Sequence, residues 1–283
     1  MVIGIQALTF EDTVLYQQLQ DAVKNYGIRT LLIYGDKGVG KTTLGLLISY
    51  SLWRDWEKVL YYLVFSPEEL IRFQDELNKA FYDMKKRIKC LFFDDAGTWL
   101  NKYRYREEAL VNFCRFYDLI RSVCAVVIFT TPSPQNILKY VRDDVKYYIR
   151  IRRYDGDYRL AEIYSRFFTH PYPRTGDVRK GTRVLDKLIF NINDIPPWIR
   201  NRYIARRGMW VERAFKEFMQ TEETLKEYYT ISEFCAIVRR SYYYIWTLVK
   251  EGRIRSVRIN GKIYIPREEV ESYLQNIAIG GGK

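Results

Sequence analysis

Eight consecutive residues, Gly35-Asp36-Lys37-Gly38-Val39-Gly40-Lys41-Thr42, constrain this chain more than anything else in it. The apolar run Thr30-Leu31-Leu32-Ile33-Tyr34 precedes them and reads as a buried strand. Thr43 to Trp53 follows and reads as a helix. Glycines between a strand and a helix let consecutive backbone N–H groups converge on one negative charge. The helix N-terminus adds its partial positive charge. Residues Gly35 to Thr43 therefore read as a phosphate cradle. Lys41 is placed to reach the β- and γ-phosphates of ATP, and the Thr42 hydroxyl to hold Mg²⁺. A plain glycine turn is the blander reading, and the strand and helix on either side disfavour it.

Such a site needs a carboxylate facing the metal. Ile88-Lys89-Cys90-Leu91-Phe92-Phe93 is strand-like and ends in Asp94-Asp95. Apolar residues bury a strand of this kind, and its acids emerge at the C-terminal edge beside the loop. Asp94 is the candidate for the Mg²⁺ shell, and Asp95 the candidate general base for an attacking water. An acidic turn capping the next helix is the alternative.

The remaining elements to about residue 153 alternate. Lys58 to Phe65 is read as a strand, rich in Val, Leu, Tyr and Phe. Ser66-Pro67-Glu68-Glu69 opens a helix, with Ser as cap and Pro in the first turn. A helix from about Arg106 to Arg121 precedes the strand Cys124-Ala125-Val126-Val127-Ile128-Phe129, which ends in Thr130-Thr131-Pro132. Alternating strands and helices imply an α/β fold: a mostly parallel sheet covered by helices.

In these motifs the sequence resembles the AAA+/RecA-like branch of P-loop ATPases, over about residues 10–153. That resemblance implies a polar sensor ending the strand after the acids, here Thr130 or Thr131, with Thr131 carried forward as the site residue. It also implies an arginine finger, matched in place by Arg142, which would complete a neighbouring subunit's site and so requires a homo-oligomer. Arg142 paired with Asp143 or Asp144 on a solvated helix end is the competing reading. ParA-type partition ATPases are similar in the loop itself, but Asp36 stands where that family carries its signature lysine.

A separate unit begins near Tyr228. Thr230 caps a helix and Glu233 closes a capping box. Arg239-Arg240-Ser241 makes a turn, Tyr242 to Glu251 is a second helix, and Gly252 ends it. Asn260-Gly261 joins Arg255–Ile259 to Lys262–Ile265 as a hairpin. A last helix starts at Pro266-Arg267-Glu268-Glu269. This order resembles the excisionase/MerR-like winged helix-turn-helix domains, departing from them at Arg239-Arg240. The resemblance implies that the second helix enters the major groove of double-stranded DNA. Arg239, Arg240, Ser241, Tyr242, Tyr243 and Thr247 are the candidates on that side. Arg255, Arg258 and Lys262 are the candidates on the wing, for phosphates or the minor groove. Ile245, Leu248 and Val249 are expected in the core.

The expected domains are therefore 1–153, the ATPase core; 154–227, a basic extension; and 228–278, the winged helix-turn-helix, with a mobile tail at 279–283. Within the extension, Tyr158–Tyr164 is read as a strand pairing with Tyr147–Arg153, Val184–Ile192 as another strand, and Ile199–Met219 as a basic amphipathic helix leading towards the winged domain and lying on DNA, on the ATPase core or between subunits. The chain has a net charge of +12. Lys139 to Lys216 holds 19 Lys/Arg against nine Asp/Glu, about +10, an excess that favours a polyanionic partner. Four cysteines lack metal-ligand spacing, and His170 is the single histidine, which argues against a histidine-based metal centre or triad. No apolar run suits a membrane span and no signal peptide opens the chain, so a cytoplasmic, nucleoid-associated protein is expected. The richness in Tyr, Ile and Arg suggests a thermophile, and compact fusions of this kind are carried by viruses and mobile elements.

These readings converge on a DNA-binding ATPase that assembles on or remodels DNA, similar in arrangement to replication initiators and helicase loaders. A helicase or another replication or recombination protein is then the expected partner. A partition or transposition ATPase is one alternative. A transcription regulator gated by ATP without turnover is another.

Overall fold

Strand formation in the N-terminal half follows the buried apolar runs, and helix formation follows the caps. The computed structural model describes residues 10–101, 108–168 and 180–280. The chain divides into two units, Met1–Arg207 and Gly208–Lys283. In the first, α1 (Val14–Lys24) begins where the Thr13 side chain accepts from Tyr16 N. β1 (Arg29–Tyr34) is buried over Thr30–Ile33. α2 (Lys41–Trp53) is apolar nearly all round and largely buried.

The strand expected over Lys58–Phe65 is mostly helix. α3 (Trp56–Tyr61) is capped by the Asp55 carboxylate, which accepts from Glu57 N at 2.9 Å and Lys58 N at 3.3 Å. It buries Val59 and Leu60. Only Leu63–Val64 remains as the strand β2. The cap and the tertiary contacts override the β-preference of these residues. Pro67–Phe73 is a 3₁₀ turn rather than the first turn of an α-helix, and Ser66 makes no side-chain cap. α4 (Gln74–Tyr82), β3 (Ile88–Phe93), α5 (Glu108–Val123), β4 (Cys124–Thr131) and α6 (Lys139–Asp144) follow.

β5 (Tyr147–Asp155), β6 (Tyr158–Phe168) and β7 (Lys180–Asn191) then continue the same sheet. The order is β2-β3-β4-β1-β5-β6-β7. β2 to β5 run parallel, and β6 and β7 are added antiparallel. The strands of the basic extension are thus an extra edge on the same sheet. One face buries Leu32, Leu91, Phe93, Val127 and Phe129 against Ala80 of α4 and Phe113 and Tyr117 of α5. On the other face α2 lies on β3: the Trp53 indole donates to Cys90 O, and Ser49 contacts the Cys90 thiol. Burial pushes that thiol far above its ordinary range, consistent with packing rather than chemistry.

α7 (Pro197–Glu227) starts with Pro at its first position and runs unbroken to the second unit. There, β8 (Tyr228–Thr230), α8 (Ile231–Val238), α9 (Tyr242–Lys250), β9 (Val257–Ile259), β10 (Lys262–Pro266) and α10 (Arg267–Gly280) enclose a small core. Ile231, Phe234, Ile245, Leu248, Ile254, Ile265 and Val270 fill it, with Val249 packed at its margin. The capping box of Thr230 and Glu233 is formed. Asn260 and Gly261 both have positive φ, as the two-residue hairpin turn requires. β8 adds a third strand, Tyr229 opposite Ile265, that sequence reading had left out. His170 and the tail from residue 281 lie outside the described residues.

Candidate functional site

The phosphate loop follows β1 directly. Gly35, Gly38 and Gly40 all have positive φ. At Gly35 an added Cβ would also lie 2.6 Å from Ile151 O of β5, so the loop closes against the neighbouring strand only with glycine there. Val39 is buried and anchors the loop, while Asp36, Lys37 and Gly38 form its exposed crest. Lys41 is buried, and its ammonium donates to Gly35 O at 2.9 Å and Asp36 O at 2.7 Å. Burial lowers its pKa, opposed by the carboxylates of Asp95, Asp94 and Asp36. The amine is thus held over the cradle, bonded to carbonyls that an anion can replace. Thr42 and Thr43 are half-buried on the first turn of α2.

β4 lies between β1 and β3, with Ile33 opposite Thr130 and Phe93 opposite Phe129. This brings three hydroxyls onto one carboxylate. Thr42 donates to both oxygens of Asp94 at 3.1 Å, Thr130 to Oδ1 at 2.5 Å, and Tyr203 of α7 to Oδ2 at 2.8 Å. Asp94 is fully buried. Burial raises its pKa, the neighbouring Asp95 adds to the rise, and the three hydroxyls oppose it. Thr131 is buried as well, but its hydroxyl turns to Ser133 O, so Thr130 is the threonine that meets the acids. Asp95 sits at φ 49°, its N–H donates to Thr130 Oγ1 at 2.8 Å, and its Oδ2 accepts from Arg207 at 2.7 Å.

Oxygen donors alone, the Thr42 hydroxyl and the Asp94 carboxylate, face each other beside the loop, a set that suits a hard cation such as Mg²⁺. Among the described residues, no cluster of three His, Cys, Asp or Glu offers another metal centre. Arg142 stands apart. α6 leads into β5 beside the start of β1, where Thr30 bonds Asp144 O, whereas the loop follows the end of β1. Arg142 lines a cavity of about 570 Å³ with Tyr34, Tyr148, Tyr164 and Arg166.

Sequence reading missed Tyr203, Arg206 and Arg207, which it treated only as part of a basic helix. Ile199 and Tyr203 are buried, and Arg206 bonds Leu63 O and Glu69. The signal was present as a stripe at i, i+4 and i+7 or i+8, the spacing of one helix face.

In the second unit, Ser241 caps α9 by accepting from Tyr244 N at 3.3 Å. Tyr242 and Tyr243 are exposed, the latter by 77%. Thr247 is half-buried and donates to Tyr243 O. Arg239 ends α8 in the left-handed conformation, and Arg240 lies over the Tyr244 ring. Arg258 and Lys262 are exposed on the wing. Arg255 is tied to Glu268 at 3.4 Å and Glu269 at 3.8 Å.

The fold and the loop define a P-loop NTPase with a C-terminal helix-turn-helix domain; a family model described as a helix-turn-helix domain matches residues 228–277. The chain belongs to the family of the uncharacterized protein B-251 of Sulfolobus spindle-shape virus 1. The two are 31% identical over 210 residues, 70% of this chain and 80% of that one. The uncharacterized protein ORF286 of Acidianus two-tailed virus is 23% identical over 155 residues, 53% of this chain, and the chain spans 52% of that relative's length. Among solved structures, the genome packaging NTPase B204 from Sulfolobus turreted icosahedral virus 2, in complex with ATP-gammaS, overlaps with a TM-score of 0.32 and 10% identity. The match covers 55% of this chain and 97% of that one. No helix among the described residues is long and apolar enough to cross a membrane.

Proposed function

We propose that this protein is a viral, DNA-associated ATPase whose turnover is coupled to the winged domain's engagement with duplex DNA. The observation that carries the reading is the meeting of Lys41, Thr42, Asp94 and Asp95 at the ends of β1 and β3, in a chain that also bears a helix-turn-helix domain. Lys41 and the loop N–H groups bind the triphosphate. Thr42, with Asp94 behind it, would hold Mg²⁺, which supplies charge neutralisation of the phosphates. Asp95 orients and deprotonates the attacking water. Thr130 keeps the two acids in register by bonding both. Arg142 acts across a subunit boundary in a homo-oligomer of AAA+ type, and the assembly loads or remodels replication proteins on DNA.

A regulator gated by ATP without turnover is the second reading. It is favoured by one observation, the ion pair that Arg207 makes with Asp95. Asp36 counts against a ParA-type partition site. Steady-state ATP hydrolysis at several protein concentrations, with and without duplex DNA, separates these readings. Turnover that rises with DNA and steeply with concentration supports the assembling ATPase. Tight ATP binding without turnover in either condition supports the regulator and removes Asp95 and Arg142 from catalysis.

A further inference from the structure

The flank of the phosphate loop opposite the acids is built from the antiparallel extension. The acids lie on the β3–β4 side of β1, and Thr42 points to them. A triphosphate held by the loop has its γ end there, so its nucleoside must leave on the other side, towards β5 to β7. The atoms nearest Gly40 belong to that side. A Cβ built on Gly40 would lie 3.2 Å from Ile192, 3.6 Å from the Arg159 stem and 3.6 Å from the Phe190 ring. Arg159 and Phe190 are direct partners across β6 and β7.

Arg159 is a buried arginine on β6. It is only 6% exposed. One of its terminal nitrogens is pinned by Gly156 O at 2.7 Å and Tyr158 O at 2.8 Å, while its Nε is buried with no acceptor. A buried N–H without a partner is unfavourable and calls for an explanation; Arg29 and Arg87 also leave Nε unpartnered, but only Arg159 does so beside the phosphate loop, where a ligand could supply the acceptor. The half-buried Ile192 side chain, backed by the Phe190 ring at 5% exposure, offers the apolar surface that a base or ribose needs.

We infer that Arg159, Phe190 and Ile192 form the wall against which the nucleoside half of the bound nucleotide lies, with Arg159 Nε donating to a ribose or base oxygen or nitrogen. This rests on the nucleotide-binding reading above and names which part of the chain recognises the nucleoside. It gives the extension a role in binding a nucleotide within one subunit.

Calorimetric titration of the full chain with two probes, ADP and inorganic pyrophosphate, each with Mg²⁺, tests it. Arg159→Met keeps the stem against Gly40 and removes the donors; Ile192→Ala trims a half-buried side chain with less risk to folding. Both are expected to bind ADP about tenfold more weakly and pyrophosphate as the wild type does. Unchanged ADP affinity in both variants overturns the inference. So does a parallel loss of pyrophosphate affinity, which would make Arg159 a phosphate contact or a scaffold. Wild type that binds pyrophosphate as tightly as ADP overturns it while leaving the phosphate loop intact. Wild type that binds neither probe removes the nucleotide reading itself.

Discussion

Arg207 donates to Asp95 Oδ2 at 2.7 Å, and Tyr203, one helical turn earlier, donates to Asp94 Oδ2 at 2.8 Å. One face of α7 therefore holds both acids of the candidate site. The Arg207–Asp95 pair is partly exposed, with side chains 47% and 21% accessible, so its worth to stability is about 0–1 kcal/mol after screening. Its consequence is chemical. The oxygen that accepts from Arg207 is occupied and cannot at the same time take a proton from an attacking water.

Removing the arginine should free the base. Arg207→Ala is expected to raise ATP turnover in the absence of DNA by roughly 3- to 10-fold, on the scale of 1.4 kcal/mol per tenfold in rate. The rise should vanish in the Arg207→Ala, Asp95→Asn double variant, and the melting temperature should move little. Steady-state hydrolysis measures it; a loss of turnover in the single variant would instead make Arg207 part of the catalytic machinery.

Lys41 gives a simpler test. Its ammonium is buried and bonds two loop carbonyls at the cradle floor. Lys41→Ala should weaken ATP binding by on the order of 100-fold, because a charge-assisted contact to phosphate is lost in a partly desolvated site. Fluorescent-nucleotide titration reads this directly, and retained affinity would remove the loop from the binding site.

What was legible in the sequence was local. Gly35 to Thr42 and Asp94-Asp95 carry their chemistry in consecutive residues, and Thr230, Glu233 and Asn260-Gly261 carry their caps and turn in the same way. The long-range parts were not legible. Nothing near Tyr203 or Arg207 in the chain names Asp94 or Asp95 as a partner more than 100 residues away. Lys58–Phe65 looked like a strand because Val, Leu, Tyr and Phe favour one, whereas a single cap from Asp55 and the burial of Val59 and Leu60 made most of it a helix. The role of Arg159 beside Gly40 depends on β6 and β7 joining the sheet, which strand propensity alone does not reveal.

Asp94 carries a prediction about pH. Burial raises its pKa above that of the unfolded chain, so folding favours its protonated form. Its favourable contribution is present below the ordinary carboxylate range and is lost as pH rises through the elevated folded value. At neutral pH, where the carboxylate of the unfolded chain is ionised, that contribution is diminished, and binding of a cation would favour the ionised form in the folded site. Asp94→Asn should therefore raise the melting temperature of the nucleotide-free protein at pH 7 by a few degrees, and less so at acidic pH, while abolishing turnover. Thermal melts across pH check it; a variant that is less stable at pH 7 would show that the hydroxyls of Thr42, Thr130 and Tyr203 outweigh the burial of the charge.

Gly45 tests the packing of α2 on β3. An added methyl would lie 2.4 Å from Cζ of the Phe92 ring, which is itself buried in the sheet. Gly45→Ala gains about 1 kcal/mol of helix propensity. Overpacking typically costs about 1–3 kcal/mol. The net expectation is a destabilisation of up to about 2 kcal/mol, measured by urea unfolding; a stabilised variant would mean that α2 can shift on the sheet.

The winged unit separates two kinds of DNA contact. Arg258 and Lys262 are exposed on the wing, whereas Arg255 is already tied to Glu268 and Glu269. Phosphate contacts release counterions, so Arg258→Ala with Lys262→Ala should weaken binding to all duplexes and reduce the salt slope by about 2, near 0.9 per contact. Arg255→Ala should change it least, because its charge is already partly neutralised. Tyr243 is 77% exposed at the start of α9 and carries no charge. Tyr243→Ala should leave the salt slope alone and lower affinity only for the specific site, by about 1–3 kcal/mol as for a lost base contact. Binding titrations at four salt concentrations on specific and random duplexes distinguish them; a uniform loss across sequences for Tyr243→Ala would move base reading away from the exposed face of α9.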